Sequence, residues 1–119
     1  MKKSYQVFLM LSVFIVLAMF IQASLAATKT CEVTYDNFGK AFLEKYCTKC
    51  HVSTKTSMMT RMGAPAGSDF DKVEAVQQYK DKIVQLVTVK KSMPPVAPKP
   101  ADDEKAKLKT WLECEYAAK

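Results

Sequence analysis

The segment Tyr46-Cys47-Thr48-Lys49-Cys50-His51 constrains this chain most, because it holds two of the four cysteines and the only histidine. Two thiols three positions apart can form a redox disulfide, bind zinc, or bond covalently to a haem. Each use requires a different fold around the cysteines and different partner residues elsewhere. The remainder of the chain therefore decides among the three chemistries.

The N-terminal residues 1–26 have the layout of a secretory signal peptide. Lys2 and Lys3 give a positive start, residues 7–21 are almost entirely apolar, and Ser24-Leu25-Ala26 suits cleavage after Ala26. An uncleaved membrane anchor is the alternative, although a spanning helix needs about 20 apolar residues. We predict a signal peptide over 1–26, one domain over 27–119, and a periplasmic location, with membrane contact only if the signal segment stays uncleaved.

The composition narrows the function classes. The formal net charge is +6, but there is no long basic run and no interleaving of basic and aromatic residues, so we expect no nucleic-acid partner. No paired carboxylates or nucleophile–base arrangement suggests an enzyme. A small exported domain often recruits a disulfide, metal or cofactor to supplement its core, and its cysteines are usually oxidised or otherwise occupied.

Apolar periodicity predicts three main helices and no sheet. A short helix over 36–46 carries Phe38, Phe42 and Tyr46 on one stripe and leads into the cysteine pair. Gly39 inside it is either a point of close backbone approach or a harmless exposed glycine. The class is therefore all-α.

The second helix is expected over 70–89, capped by Ser68 or Asp69. Its inner face would be formed by Val73, Val76, Ile83, Leu86 and Val87. The prolines in Met93–Pro100 favour an extended loop. A last helix starts near Ala101 and presents Leu108, Trp111 and Leu112 on one face.

The cysteine pair fits haem attachment best. A zinc site would need a second Cys/His pair, and a thioredoxin-type pair would stand at a helix start within a βαβ unit. In C-x-x-C-H, the two thiols, here Cys47 and Cys50, bond to the haem vinyl groups and the histidine, here His51, binds the iron. We predict one covalently attached haem c.

The sixth iron position has methionine candidates or stays open. Met93 is favoured, because it precedes the stiff proline loop and is separated from His51 by a whole helix. We expect Met58, Met59 and Met62, which follow His51 closely, to line the haem crevice instead.

With these motifs, the mature chain resembles a small class I monohaem cytochrome c of the bacterial periplasmic type. The match rests on Cys47-Thr48-Lys49-Cys50-His51, then Met93-Pro94-Pro95, then Trp111-Leu112-Glu113-Cys114, in the expected order. The resemblance implies a cytochrome c-like fold wrapped around the haem, with the first and last helices crossing at Gly39 and Trp111. Glu115 departs from the pattern, since relatives with this ending often have glycine there.

The resemblance has further implications. It brings Cys31 and Cys114 together as a disulfide, the alternative being free or intermolecular cysteines. It assigns the Pro65 carbonyl to orienting His51 through its other ring nitrogen. The implied function is periplasmic one-electron transfer; the alternatives are a sensor or peroxidase-like enzyme with open iron, or a subunit of a larger oxidoreductase. The lysines near the predicted haem edge would steer acidic redox partners or form a solvated face: Lys45, Lys49, Lys55, Lys90 and Lys91.

Overall fold

The computed structural model describes residues 30–117, and within that range the regular secondary structure is helical, with no strand. Helix α1 spans Lys40–Tyr46 and continues a π-helical segment, Tyr35–Gly39. Helix α2 spans Val73–Val84 and runs into a second π-helical segment, Gln85–Val89. Helix α3 spans Asp102–Glu115. The all-α class with three main helices agrees with the prediction.

The predicted signal peptide, residues 1–26, lies outside the described residues. Within residues 30–117, no helix is both long enough and apolar enough to cross a membrane.

The first helical segment begins where the sequence supplies a capping box. The Thr34 hydroxyl accepts a hydrogen bond from the Asn37 backbone N–H, and the Asn37 side chain accepts one from the Thr34 N–H. The predicted aromatic stripe is confirmed, since the Phe38 and Phe42 ring centroids are 5.4 Å apart and those of Phe42 and Tyr46 are 4.9 Å apart. Residues four apart share a helix face, so this stripe turns towards the core.

The π-helical entry to α1 crosses α3 at Gly39. A Cβ atom on Gly39 would lie 2.6 Å from Cε2 and Cη2 of Trp111, a distance that real Cβ contacts do not show. Trp111 is fully buried and also packs edge-on against Phe38. Gly39 is therefore a point of close approach, and the alternative of a harmless exposed glycine is excluded.

Helix α2 starts later than predicted, and the predicted cap was wrong. Lys72 is the N-cap residue and makes no side-chain capping bond, while Ser68 and Asp69 bond elsewhere in the preceding loop. The inner face is confirmed for Val76, Ile83 and Val87. Val73, by contrast, is 37% exposed, although Ala75 and Val76 in the same turn are buried.

Helix α3 follows the predicted pattern. Leu108, Trp111 and Leu112 are essentially inaccessible to solvent. In its first turn, Glu104 accepts hydrogen bonds from the Ala101 N–H at 2.9 Å and from the Tyr46 hydroxyl at 2.6 Å. The carboxylate thus caps α3 and ties it to the end of α1.

The two ends of the described chain are joined. Cys31 and Cys114 form a disulfide that closes a sequence separation of 83 residues, as predicted. Beside it, the Glu115 carboxylate accepts hydrogen bonds from the Tyr35 N–H at 2.7 Å and from the Trp111 indole N–H at 2.6 Å. Glu115, which departs from the cytochrome c pattern, therefore links the start of the Tyr35–Gly39 segment to the end of α3.

Candidate functional site

A cavity of about 380 Å³ lies between α1, α2, the loop after His51 and the proline-rich loop. Its volume is within the usual range of roughly 300–1,000 Å³ for small-molecule and cofactor sites. Most of its surface is apolar, and the core side chains that form its walls are Phe42, Tyr46, Phe70, Tyr79, Ile83, Leu86 and Val87. The helices and loops therefore do not pack fully against one another here and leave an apolar cavity between them.

The two remaining cysteines line this cavity. Cys47 and Cys50 belong to a turn that continues α1, in which the N–H groups of Cys50 and His51 both donate to the Cys47 carbonyl, at 3.1 and 2.9 Å. Neither cysteine takes part in a disulfide. Burial, reinforced by the neighbouring Cys50, raises the pKa of the Cys47 thiol to about 12. A reactive thioredoxin-type cysteine has a lowered pKa, so the site does not favour that chemistry.

His51 lines the cavity with its imidazole held on one side. Its Nδ1 atom lies 3.0 Å from the Ser68 carbonyl oxygen and 2.9 Å from the Ser68 Oγ. The ring stacks on Phe70, with centroids 4.5 Å apart and an interplanar angle of 17°. Burial lowers the pKa of His51, and nearby Arg61 lowers it further against the opposing effects of Ser68 and Asp69. This direction favours the neutral ring, and because Nδ1 faces Ser68, Nε2 is the nitrogen left for a metal.

Pro65 lies on the cavity wall but does not contact the imidazole nitrogen through a hydrogen bond of its own. Its carbonyl accepts hydrogen bonds from the Ser68 hydroxyl and from Arg61, both at 2.7 Å. The hydrogen bond to His51 Nδ1 that the resemblance assigned to the Pro65 carbonyl is made by Ser68. The Pro65 carbonyl instead accepts a hydrogen bond from the Ser68 hydroxyl. In this structure the residue beside Nδ1 is Ser68.

The methionines divide into two groups. Met93 lines the cavity and is 37% exposed, with its backbone N–H bonded to the Leu86 carbonyl. Met62 also lines it, and its Sδ lies 3.4 Å from the Cys50 Sγ. Met58 and Met59 are not among the lining residues and are 73% and 91% exposed, so the prediction for them was wrong.

The lysines also differ from the prediction. Lys45 and Lys49 border the cavity, whereas Lys55, Lys90 and Lys91 do not. Lys82, which was not predicted, is a lining residue. Its helical spacing from Tyr79 and Leu86, three and four residues away, was the signal that could have found it.

Arg61 is a further residue of the site that was not predicted from the sequence. Its side chain is only 6% exposed, and it forms an ion pair with Asp69 at 2.7 Å. The guanidinium also donates to backbone carbonyls around the loop, namely those of Val52, Lys55, Ala64, Pro65 and Ser68. One arginine in a segment rich in Ser, Thr, Met and Gly carries no sequence signal of burial.

Comparisons of the chain with protein-family models, with curated proteins and with solved structures found no match. Its likeness to class I cytochromes c therefore rests on its own residues.

The residues around the cavity fit a covalently attached haem. Two thiols, an imidazole and the thioethers of Met62 and Met93 line one apolar chamber, and these are the donor types that c-type haem requires. A structural metal-ion site fits less well, because within residues 30–117 no three His, Cys, Asp or Glu side chains converge on a common point.

Proposed function

We propose that this protein is a periplasmic one-electron carrier that holds a single haem c with His51 and Met93 as axial ligands. It would then be a class I cytochrome c and not an enzyme. The observation that carries this proposal is that Met93 and the Cys47–His51 motif, which are distant in sequence, line the same apolar cavity.

Each residue has a defined task in this proposal. The thiols of Cys47 and Cys50 would hold the haem by adding across its two vinyl groups, with each S–H bond supplying the sulfur to one carbon and the hydrogen to the other. His51 would bind the iron through Nε2, and Ser68 lies at Nδ1, where it orients the ring. Met93 offers its sulfur from the proline-rich loop. When bound, the haem would supply the one-electron couple of its iron.

The cavity walls support electron transfer more than side-chain catalysis. The aromatic and aliphatic lining lowers the local dielectric constant, which is one of the protein properties that set a haem potential. Lys45, Lys49 and Lys82 border the chamber and would attract an acidic redox partner, so the association rate should fall as salt rises. A nucleic-acid partner is not part of this proposal.

Covalent haem attachment is tested by a pyridine haemochrome assay on the exported protein. We expect one haem per chain in the wild type. The Cys47→Ala/Cys50→Ala variant is the matched control and should lose the covalent haem while keeping the Cys31–Cys114 disulfide. Wild-type protein without covalent haem, produced in cells that mature c-type cytochromes, would refute the proposal.

A second candidate is a haem sensor or peroxidase-like enzyme with an open sixth iron position. The exposure of Met93, at 37%, favours it, because a partly exposed ligand on a loop is more easily displaced. A low-spin ferric spectrum that becomes high-spin in Met93→Ala would support the carrier. A spectrum that is high-spin in the wild type, and unchanged by Met93→Ala, would support the open site. Met62→Ala is the control, because Met62 also lines the cavity. Either protein could work alone or as a subunit of a larger oxidoreductase, which copurification would distinguish.

A further inference from the structure

We infer that Arg61 is a positioning residue for His51 and that, with Asp69 as its counter-ion, it raises the reduction potential of the bound haem. This inference rests on the proposed function. Within the described residues, Arg61 is the buried cationic side chain at the cavity, and the proposed ligand set gives it no role.

Arg61 organises the whole loop that faces His51. Its Nε donates to the Ala64 carbonyl at 3.1 Å, and its Nη1 donates to the carbonyls of Val52 and Lys55 at 3.0 and 3.1 Å. Both ends of the loop are therefore bonded to one rigid, planar group. A lysine has a single ammonium and could satisfy only part of this set.

The contact with His51 runs through Ser68. The Nη2 of Arg61 lies 3.5 Å from both the carbonyl oxygen and the Oγ of Ser68, and the same two oxygens lie at 3.0 and 2.9 Å from Nδ1 of His51. The Nη2 group also donates to Pro65, which in turn accepts from the Ser68 hydroxyl. Arg61 thus lies beside both acceptors of Nδ1, while the Ser68 backbone and hydroxyl are also held by the Pro65 carbonyl.

The cation also weakens the acceptors that it holds. An oxygen that faces a guanidinium has less electron density to share with the imidazole N–H. The N–H then keeps its proton more fully, so the imidazole is a poorer electron donor to iron. A poorer donor stabilises ferric iron less and raises the potential.

The ion pair is oriented so that its positive end faces His51. Asp69 binds Nη1 at 2.7 Å, whereas the nitrogen at Ser68 is Nη2. The Asp69 side chain is also more exposed than that of Arg61, 18% against 6%, so water screens the anion more than the cation. A buried positive charge on the loop beside His51 would oppose oxidation of an iron bound by that residue, which again raises the potential.

The test measures reduction potentials by spectroelectrochemical titration of the exported, haem-loaded protein. Arg61→Gln should lower the equilibrium constant for reduction at least tenfold, which is about 59 mV for one electron. Asp69→Asn should shift the potential in the opposite direction, and Arg61→Lys should lie between Arg61→Gln and the wild type. Lys109→Gln removes a positive charge from the exposed face of α3 and serves as the control, with a potential close to that of the wild type.

The sign of the Asp69→Asn shift separates this role from a purely structural one. Loss of packing alone would destabilise both variants and give no opposed shifts. If Arg61→Gln does not fold, Asp69→Asn and Arg61→Lys still decide the question. Haem-loaded variants with unchanged potentials, or with shifts of the same sign, would overturn this inference alone. Wild-type protein without covalent haem would overturn the proposed function as well.

Discussion

Replacing Gly39 by alanine should have two opposing effects on the free energy of unfolding. Residue 39 has φ −56° and ψ −48°, so alanine fits the backbone there, and its helix propensity should stabilise the protein by about 1 kcal/mol. The added Cβ, however, would lie 2.6 Å from two atoms of the Trp111 indole. Overpacking of a well-packed core costs up to about 3 kcal/mol. We therefore expect a net destabilisation of about 2 kcal/mol.

Urea unfolding of the disulfide-intact protein, followed by far-UV circular dichroism, measures this difference. Lys40→Ala is the matched control, because Lys40 is the next residue of the same helical segment and is exposed. It should change the free energy of unfolding by less than about 0.5 kcal/mol. A second cycle in a Trp111→Leu background removes the opposing ring, so Gly39→Ala should there become neutral or stabilising.

The reasoning fails if Gly39→Ala stabilises the protein that retains Trp111. It also fails if the cost is the same with and without the indole, because the cost would then arise from something other than the crossing of the first helical segment with α3.

Three further changes test the contacts that join the helices. Replacing both Cys31 and Cys114 by alanine should lower the free energy of unfolding by about 4 kcal/mol in the loop-entropy model, measured as a lower urea midpoint. Glu115→Ala leaves the indole N–H of Trp111 without its acceptor and should cost about 2 kcal/mol in the same assay, whereas Glu115→Gln should cost less. The hydrogen bond from Tyr46, with smaller contributions from the Ala101 N–H and from Lys45, lowers the pKa of Glu104. The stabilisation by Glu104 is therefore present above its unfolded pKa of about 4.3 and is lost as the pH falls through the lower folded value. Glu104→Gln should accordingly be less stable than the wild type at pH 7, and the difference should shrink as the pH falls below about 4.

Local patterns in the sequence predicted the helices well. The i, i+4 aromatic stripe of α1 and the Leu108–Leu112 face of α3 are determined by helical periodicity, which the sequence displays directly. The cysteine–histidine motif was equally visible, because Cys47, Cys50 and His51 fall within five consecutive positions. The disulfide followed from the resemblance and agrees with the structure.

The side-chain roles in the loop that faces His51 could not be predicted from local sequence patterns. Ser68 and Asp69 have the composition of a helix cap, but their side chains bond to His51 and Arg61 instead. A hydroxyl or carboxylate can serve either purpose, and tertiary contacts decide which. Arg61 was missed for a related reason, since arginine is usually exposed and its burial depends on carbonyl groups that only the folded loop brings together.

The Cys31–Cys114 disulfide determines where a tether or a second domain can be attached to this one. The two Cα atoms are 5.9 Å apart, so both ends of the described chain leave from one pole. Within residues 30–117, the residues that line the cavity all lie between Phe42 and Pro98. A tether or fused domain at either end would therefore leave the chamber open to a partner. The same proximity should permit a circular permutant, in which a short linker joins the present ends and new ends are cut in the exposed segment around Met59.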